Sequence, residues 1–289
     1  MSKLKKGILA VLMLAIIMPL SACSANSSKS SEDNSKTVKL AYMEWDDSVS
    51  STNLVAEVLK QMGYTVEMTP LDNAIVWQSV ANKQADAMVS AWLPLTHGPQ
   101  YDKYKNQIDV LGANLTGAQS GLVVPSYMNV NSVEDLSNQA KKTITGIEPG
   151  AGIMTNAEKA MSQYSNLSGW NLMSSSTGAM TASLDKAYKN KDEIVITGWA
   201  PHWMFTKYDL KFLNDPKQVI SSPETINTVA RQGLKNDKPE VYKVLKNFKW
   251  DMKDIGDVMF DMNNGKKANQ AAKDWIAKNQ DKVNSWKNS

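Results

Sequence analysis

The chain has 289 residues, one cysteine, two histidines and a formal net charge of +3. Three of its 32 basic side chains, Lys3, Lys5 and Lys6, stand at the start, and without them 29 basic residues face 29 acidic ones dispersed along the chain. Such a neutral chain presents no basic stripe to a phosphate backbone, which argues against nucleic acid as a partner. A lone cysteine leaves no disulfide framework.

Met1 to Ala22 reads as a secretory signal: three lysines, an apolar run from Ile8 to Leu20, then Ser21 and Ala22 before Cys23. The run is shorter than the ~20 residues of a spanning helix. Leu20-Ser21-Ala22-Cys23 resembles the bacterial lipobox, which implies removal of residues 1–22 and a diacylglycerol on Cys23. Residues 23–36 then form a flexible tether on the extracytoplasmic face of the membrane. Ser24 to Lys36 holds no apolar side chain larger than alanine and cannot offset its own ordering entropy.

From Thr37 onward strand-like and helix-like segments alternate, the mark of an α/β protein with a largely parallel sheet. Val38 to Tyr42 and Thr65 to Met68 read as strands, and Thr52 to Met62 as a helix ending at Gly63. An internal echo follows. Thr52-Asn53 matches Thr155-Asn156, and Ser90-Ala91-Trp92-Leu93-Pro94 matches Thr197-Gly198-Trp199-Ala200-Pro201, at nearly equal spacing within each copy. Two similar lobes are expected: residues 37–120 with 226–289, and residues 121–225. Gly121 to Pro125 and Ile226 to Ala230 read as the two strands that cross between them, forming a hinge. The last segment is helical, with Asp237 as a cap before Pro239, an apolar face of Val244, Leu245 and Phe248, a stop at Asn263-Asn264-Gly265, and a stripe of Ala271, Ala272, Trp275 and Ile276.

In open α/β sheets ligands bind beyond the carboxyl ends of the strands. Three such ends carry tryptophan, namely Trp45, Trp92 and Trp199, and Pro94 and Pro201 stop the last two strands. Two come from one lobe and one from the other, so closing the hinge gathers three indoles. A trimethylammonium group has no N–H to donate and is drawn to indole faces, at ~2 kcal/mol per desolvated contact. Glu148 to Thr155, a glycine-bearing loop entering a helix, supplies free amides for a carboxylate, and His97 adds a further donor.

Read together, AYMEWDDSVSSTN, VSAWLPLTHGPQYDKY, SGLVVPSYM, GIEPGAGIMT and ITGWAPHWMF resemble the substrate-binding proteins of osmoprotectant ABC transporters, the glycine betaine and proline betaine binders. The resemblance implies a two-lobed type II periplasmic-binding fold. It implies a prism of Trp45, Trp92 and Trp199 around the quaternary ammonium, and Gly152 and Ile153 amides with the His97 side chain on the carboxylate. It also implies permease and ATPase subunits as partners, with choline or carnitine as alternative ligands. An acid such as Asp46 or Glu148 facing the cage would point to choline. His202 and Trp203 are expected to pack behind the cage; Asp46, Asp47 and Glu148, near the cleft, to be solvated loop charges or supports of the residues that touch the ligand; and Trp77, Trp170, Trp250, Trp275 and Trp286 to sit at core or surface helix positions. No Walker loop, G-x-S-x-G elbow or H-E-x-x-H pair occurs, and neither catalysis, a cofactor nor a metal is expected.

Overall fold

The computed structural model describes residues 36–288. The signal, Cys23 and all but the last residue of the tether lie outside the described residues. Among the described residues nine strands form one mixed sheet: β1 (Thr37–Tyr42), β2 (Thr65–Pro70), β3 (Ala87–Leu93), β4 (Ile108–Pro125), β5 (Thr143–Thr145), β6 (Asn171–Met173), β7 (Val195–Ala200), β8 (Leu210–Phe212) and β9 (Pro223–Arg231). Their order is β2-β1-β3-β9-β4-β7-β5-β6, with β8 beside β4.

This order gives the internal echo a physical form. On one side β1 pairs parallel with β2 and β3, and on the other β5 pairs parallel with β6 and β7. Each trio is closed by one antiparallel strand, β9 against β3 and β4 against β7, and β4 and β9 pair with each other between the trios. The chain is thus two equivalent α/β halves joined through two long strands, the two-lobed α/β arrangement expected. Strand β3 is buried over its first six residues and β7 over its first five, as strands covered on both faces must be.

The crossing strand is longer than the sequence suggests. Gly121 to Pro125 is only the last part of β4, whose residues 108–119 pair with β9 before Gln119–Val123 pair with β7. Register shifts interrupt the β4/β9 ladder, and Gly112 and Gly117 take left-handed φ values of 114° and 79° within it. Those glycines, with the polar residues around them, hide a bulged strand behind the composition of a loop.

Helix α1 (Asp46–Gln61) starts six residues before the expected Thr52 and ends at Gln61 rather than Met62. Asp46 and Asp47 occupy its first turn, where carboxylates favour the positive helix end. The acidic, serine-rich stretch with the look of a loop is therefore a helix start. Helices α2 (Asn73–Ala81), α3 (Gly98–Tyr104), α4 (Gly152–Gln163), α5 (Thr177–Asn190) and α6 (Met204–Lys207) follow in the connections between strands.

After β9 come α7 (Leu234–Asp237), α8 (Pro239–Asn247), α9 (Met252–Asn263), α10 (Ala268–Lys278) and α11 (Gln280–Asn288), with α9 and α10 against α1. Asp237 does not cap α8: Lys238 precedes that helix, and the Asp237 carboxylate pairs with Arg231 at 2.6 Å instead. The stop at Asn264 and Gly265 and the buried stripe of α10 stand as expected. Trp77, Trp275 and Trp286 are buried on helices, whereas Trp170 and Trp250 are buried in connections rather than on helices. Among the described residues no helix is long and apolar enough to cross a membrane.

Candidate functional site

Where the two halves meet, a small cavity is lined by Trp45, Asp47, Trp92, Thr96, Ser120, Ile147, Ala151, Gly152, Ile153 and Trp199. It gathers the three tryptophans and both loop residues named from the sequence. Trp92 and Trp199 sit near the ends of β3 and β7, each two residues before the proline of a cis peptide bond, Leu93–Pro94 and Ala200–Pro201. Trp45 immediately precedes α1. The Ser48 hydroxyl fixes that helix start, meeting Ser90 on β3 at 2.7 Å and accepting from the Met43 amide at 3.2 Å.

Asp47, expected near the cleft as a solvated charge or a support, lines the cavity itself. It is fully buried, and its two oxygens divide between the halves: Trp92 Nε1–H donates to Oδ2 and Trp199 Nε1–H to Oδ1, each at 3.1 Å. Burial, with a smaller push from the neighbouring Asp46 charge, raises its pKa to about 6 against the pull of the two indole donors. Asp46 makes a second bridge, accepting from Trp203 Nε1–H at 2.8 Å. Burial raises its pKa too, and the Trp203 bond opposes that shift. The expectation of solvated loop charges is thus wrong for Asp47, where acids in a first helical turn and indole donors lie far apart in sequence. Glu148 accepts from the Thr177 amide at 2.7 Å and its hydroxyl at 3.0 Å, anchoring the 148–151 loop to α5.

The opposite wall is the start of α4. Its first two amides, Gly152 and Ile153, belong to the donors that an α-helix leaves without an internal acceptor, and no side chain caps them. Gly152 lies so close to the other half that a Cβ there would sit 1.9 Å from the Thr96 carbonyl oxygen. The cavity therefore has an anionic edge at Asp47, aromatic walls, and an amide edge at the positive end of a helix.

His97 is not on the cavity wall. Its ring packs at 5.8 Å from Trp45 and 6.0 Å from Trp77, and its Nδ1 accepts from the Trp92 amide at 3.0 Å. Burial holds its pKa down to about 3, so the ring is neutral, and this network assigns the proton to Nε2, which is buried with no partner. It offers a neutral N–H rather than a charged one. His202 and Trp203 also lie behind the cage: His202 meets Trp199 edge-on at 4.8 Å and Trp203 at 5.2 Å. His202 Nδ1 accepts from the Met204 amide, and its Nε2 lies 3.3 Å from Asp46 Oδ2 but outside hydrogen-bond alignment.

Residues 36–278 match the family described as the substrate binding domain of the ABC-type glycine betaine transport system. The chain is 52% identical over 172 residues to the glycine betaine/carnitine transport binding protein GbuC of Listeria monocytogenes, a match covering 59% of this chain and 56% of that protein. The matched segment thus spans little more than half of that relative. Lactococcal OpuAC, in a closed conformation with glycine betaine, is similar with a TM-score of 0.86 and 56% identity over 87% of this chain and 99% of that one. A Borrelia burgdorferi glycine betaine/L-proline-binding protein, ProX, gives 0.84 and 34% over 87% and 96%. With its two-lobed type II fold and a family match over most of its length, the chain belongs to the substrate-binding domains of ABC-type glycine betaine transport systems.

Proposed function

We propose that the protein captures glycine betaine or a closely related zwitterion between its two halves and delivers it to an ABC importer. One observation carries this reading: the same small cavity is lined by three indoles, by a buried carboxylate, and by the uncapped amides that begin a helix. The ammonium occupies the Trp45, Trp92 and Trp199 cage beside Asp47, held by cation–π attraction. The carboxylate takes the Gly152 and Ile153 amides, with the buried, partnerless His97 Nε2–H as the further donor. The halves act as lobes that close over the ligand, residues 37–120 with 226–289 against 121–225. A signal over residues 1–22 and a lipid on Cys23 place the chain outside the cytoplasmic membrane beside the permease and its ATPase. Its role is transport without catalysis.

A choline reading has one observation in its favour, since an acid does line the cage, though it is Asp47 rather than Asp46 or Glu148. Choline, which has no carboxylate, leaves the uncapped α4 amides unmatched. Calorimetric titration with glycine betaine, proline betaine, carnitine and choline separates the two. At least one betaine is expected to bind more tightly than choline, and choline ahead of every betaine refutes the zwitterion reading.

A further inference from the structure

Outside the aromatic cage, at the place where the two long strands part, lies a second buried carboxylate. Glu224, the second residue of β9, is buried and sits opposite Ala118 of β4. Its Oε1 accepts from the Leu95 amide at 3.1 Å and the Thr96 amide at 2.7 Å. Its Oε2 accepts from the Thr96 hydroxyl at 2.5 Å and the Ser120 hydroxyl at 3.0 Å, and those two hydroxyls are 3.0 Å apart.

Each partner leads to a wall of the site. Leu95 and Thr96 belong to the turn after Trp92, which is tied back on itself because His97 N–H donates to the Trp92 carbonyl and Trp92 N–H to His97 Nδ1. Ser120 stands where β4 has left β9 for β7, and there it pairs with Trp199. Thr96 and Ser120 both line the cavity, and the Thr96 carbonyl is the surface on which Gly152 rests. One side chain on the returning strand therefore grips the Trp92 turn of one half and the strand that carries the other half's Trp199 partner.

We propose that Glu224 is a positioning residue: it braces the Trp92 turn against the β4 crossing and so fixes the spacing between the Trp92 and Trp199 walls on which ligand affinity depends. It touches no ligand. The inference rests on the betaine reading of the cavity, and it concerns geometry, because four donors converge on two oxygens in fixed directions. An amide in place of the carboxylate keeps the brace: its oxygen still accepts from the two backbone amides, and its NH₂ donates to hydroxyls that can turn to accept.

The test compares wild type with Glu224→Ala, Glu224→Gln and Ser120→Ala by calorimetry with glycine betaine. The Trp92 and Trp199 indole N–H resonances of ¹⁵N-labelled protein without ligand, and the thermal transition, are followed in parallel. Glu224→Ala is expected to lose at least about tenfold in affinity, the equivalent of one charge-assisted hydrogen bond, and to move both indole resonances. Ser120→Ala should move the Trp199 resonance alone, with a smaller loss. Glu224→Gln should stay within about threefold of wild type, because the hydrogen bonds persist. A folded Glu224→Ala that binds like wild type with unmoved indoles overturns the proposal, as does a Glu224→Gln as weak as Glu224→Ala, which would assign the effect to charge. Should Glu224→Ala not fold, the Glu224→Gln and Ser120→Ala pair tests the brace through the same resonances: a Glu224→Gln that loses affinity, or a Ser120→Ala that leaves the Trp199 resonance in place, overturns it. Wild type that binds none of the betaines overturns the reading of the cavity, whereas the indole resonances still test the brace.

Discussion

Gly152 offers the sharpest test of how the two halves meet. A Cβ built there lies 1.9 Å from the Thr96 carbonyl oxygen, 2.8 Å from its carbon and 2.9 Å from the Thr96 methyl. Two of these three atoms are backbone, held by the Glu224 bonds to the Thr96 and Leu95 amides, so the neighbour cannot swing aside. Bringing 1.9 Å up to the 3.4 Å at which ordinary contact begins needs roughly 1.5 Å of movement, and the seam between the halves is the softest place to find it. That movement would break the 3.1 Å bond from Trp199 to Asp47 and draw one indole from the cage. A hydrogen bond to a charged group contributes about 1.5–3 kcal/mol and a desolvated cation–π contact ~2 kcal/mol. Gly152→Ala should therefore weaken glycine betaine binding by roughly 10³-fold.

The same substitution keeps the backbone N–H that is proposed to hold the ligand carboxylate. It also replaces glycine by a better helix former at the first position of α4, so the thermal transition without ligand should stay level or rise slightly. Calorimetry, thermal melting and solution scattering with saturating betaine form the assay, and the variant is expected to remain more open than wild type in the last. Wild-type affinity in Gly152→Ala would refute the reasoning, since it would mean that the Thr96 contact is not part of the liganded state.

Trp199→Ala should weaken betaine binding by more than about tenfold, while the thermal transition without ligand falls by less than the ~3–5 kcal/mol typical of a core tryptophan, because its ring faces the cleft. Calorimetry and melting separate the two. Asp47→Asn, which loses the charge but keeps an acceptor oxygen, should also lower betaine affinity by more than about tenfold, and retention of affinity would remove Asp47 from the site. Acid should destabilise the fold between pH 7 and pH 5. His97 and His202 are held near 3 by burial, so the unfolded chain takes up protons there that the folded one does not. At pH 5 this amounts to roughly 2 kcal/mol for each histidine, whereas Asp47, raised to about 6, takes up a proton in the folded state and offsets about 1 kcal/mol. A pH series of melting curves should show the decline, and His202→Gln should remove about two thirds of it or more.

The cage is legible in the sequence because its parts announce themselves locally. A buried apolar strand, a tryptophan and a following proline recur in two copies, and the sheet repeats the same order in both halves. What stays hidden depends on distance. Asp47 looks like any acid beside another acid, and only the fold brings Trp92 and Trp199, 45 and 152 positions away, onto its two oxygens. Glu224 opens a strand behind a proline, where an acid suggests solvent, yet its partners lie more than a hundred residues upstream. Helix α1 looks too short in the sequence for a related reason: two aspartates and three serines have the composition of a loop, and the buried faces of those serines follow from packing that no local window contains.

The electrostatics of the cavity give closure a reason to wait for the right ligand. The Asp47 carboxylate is buried where the halves meet, and burial raises its pKa against the pull of its two indole donors. At the other wall the uncapped end of α4 rests against Thr96, leaving the positive end of a helix with less water to face. A closed cleft without ligand therefore carries two unmatched poles of opposite sign. A cation relieves only the first and an anion only the second, whereas a molecule with a methylated nitrogen at one end and a carboxylate at the other relieves both in a single step. If the halves close over the ligand as proposed, binding and closure are coupled through differential interaction with the closed state, which is the only means by which a ligand can shift such an equilibrium.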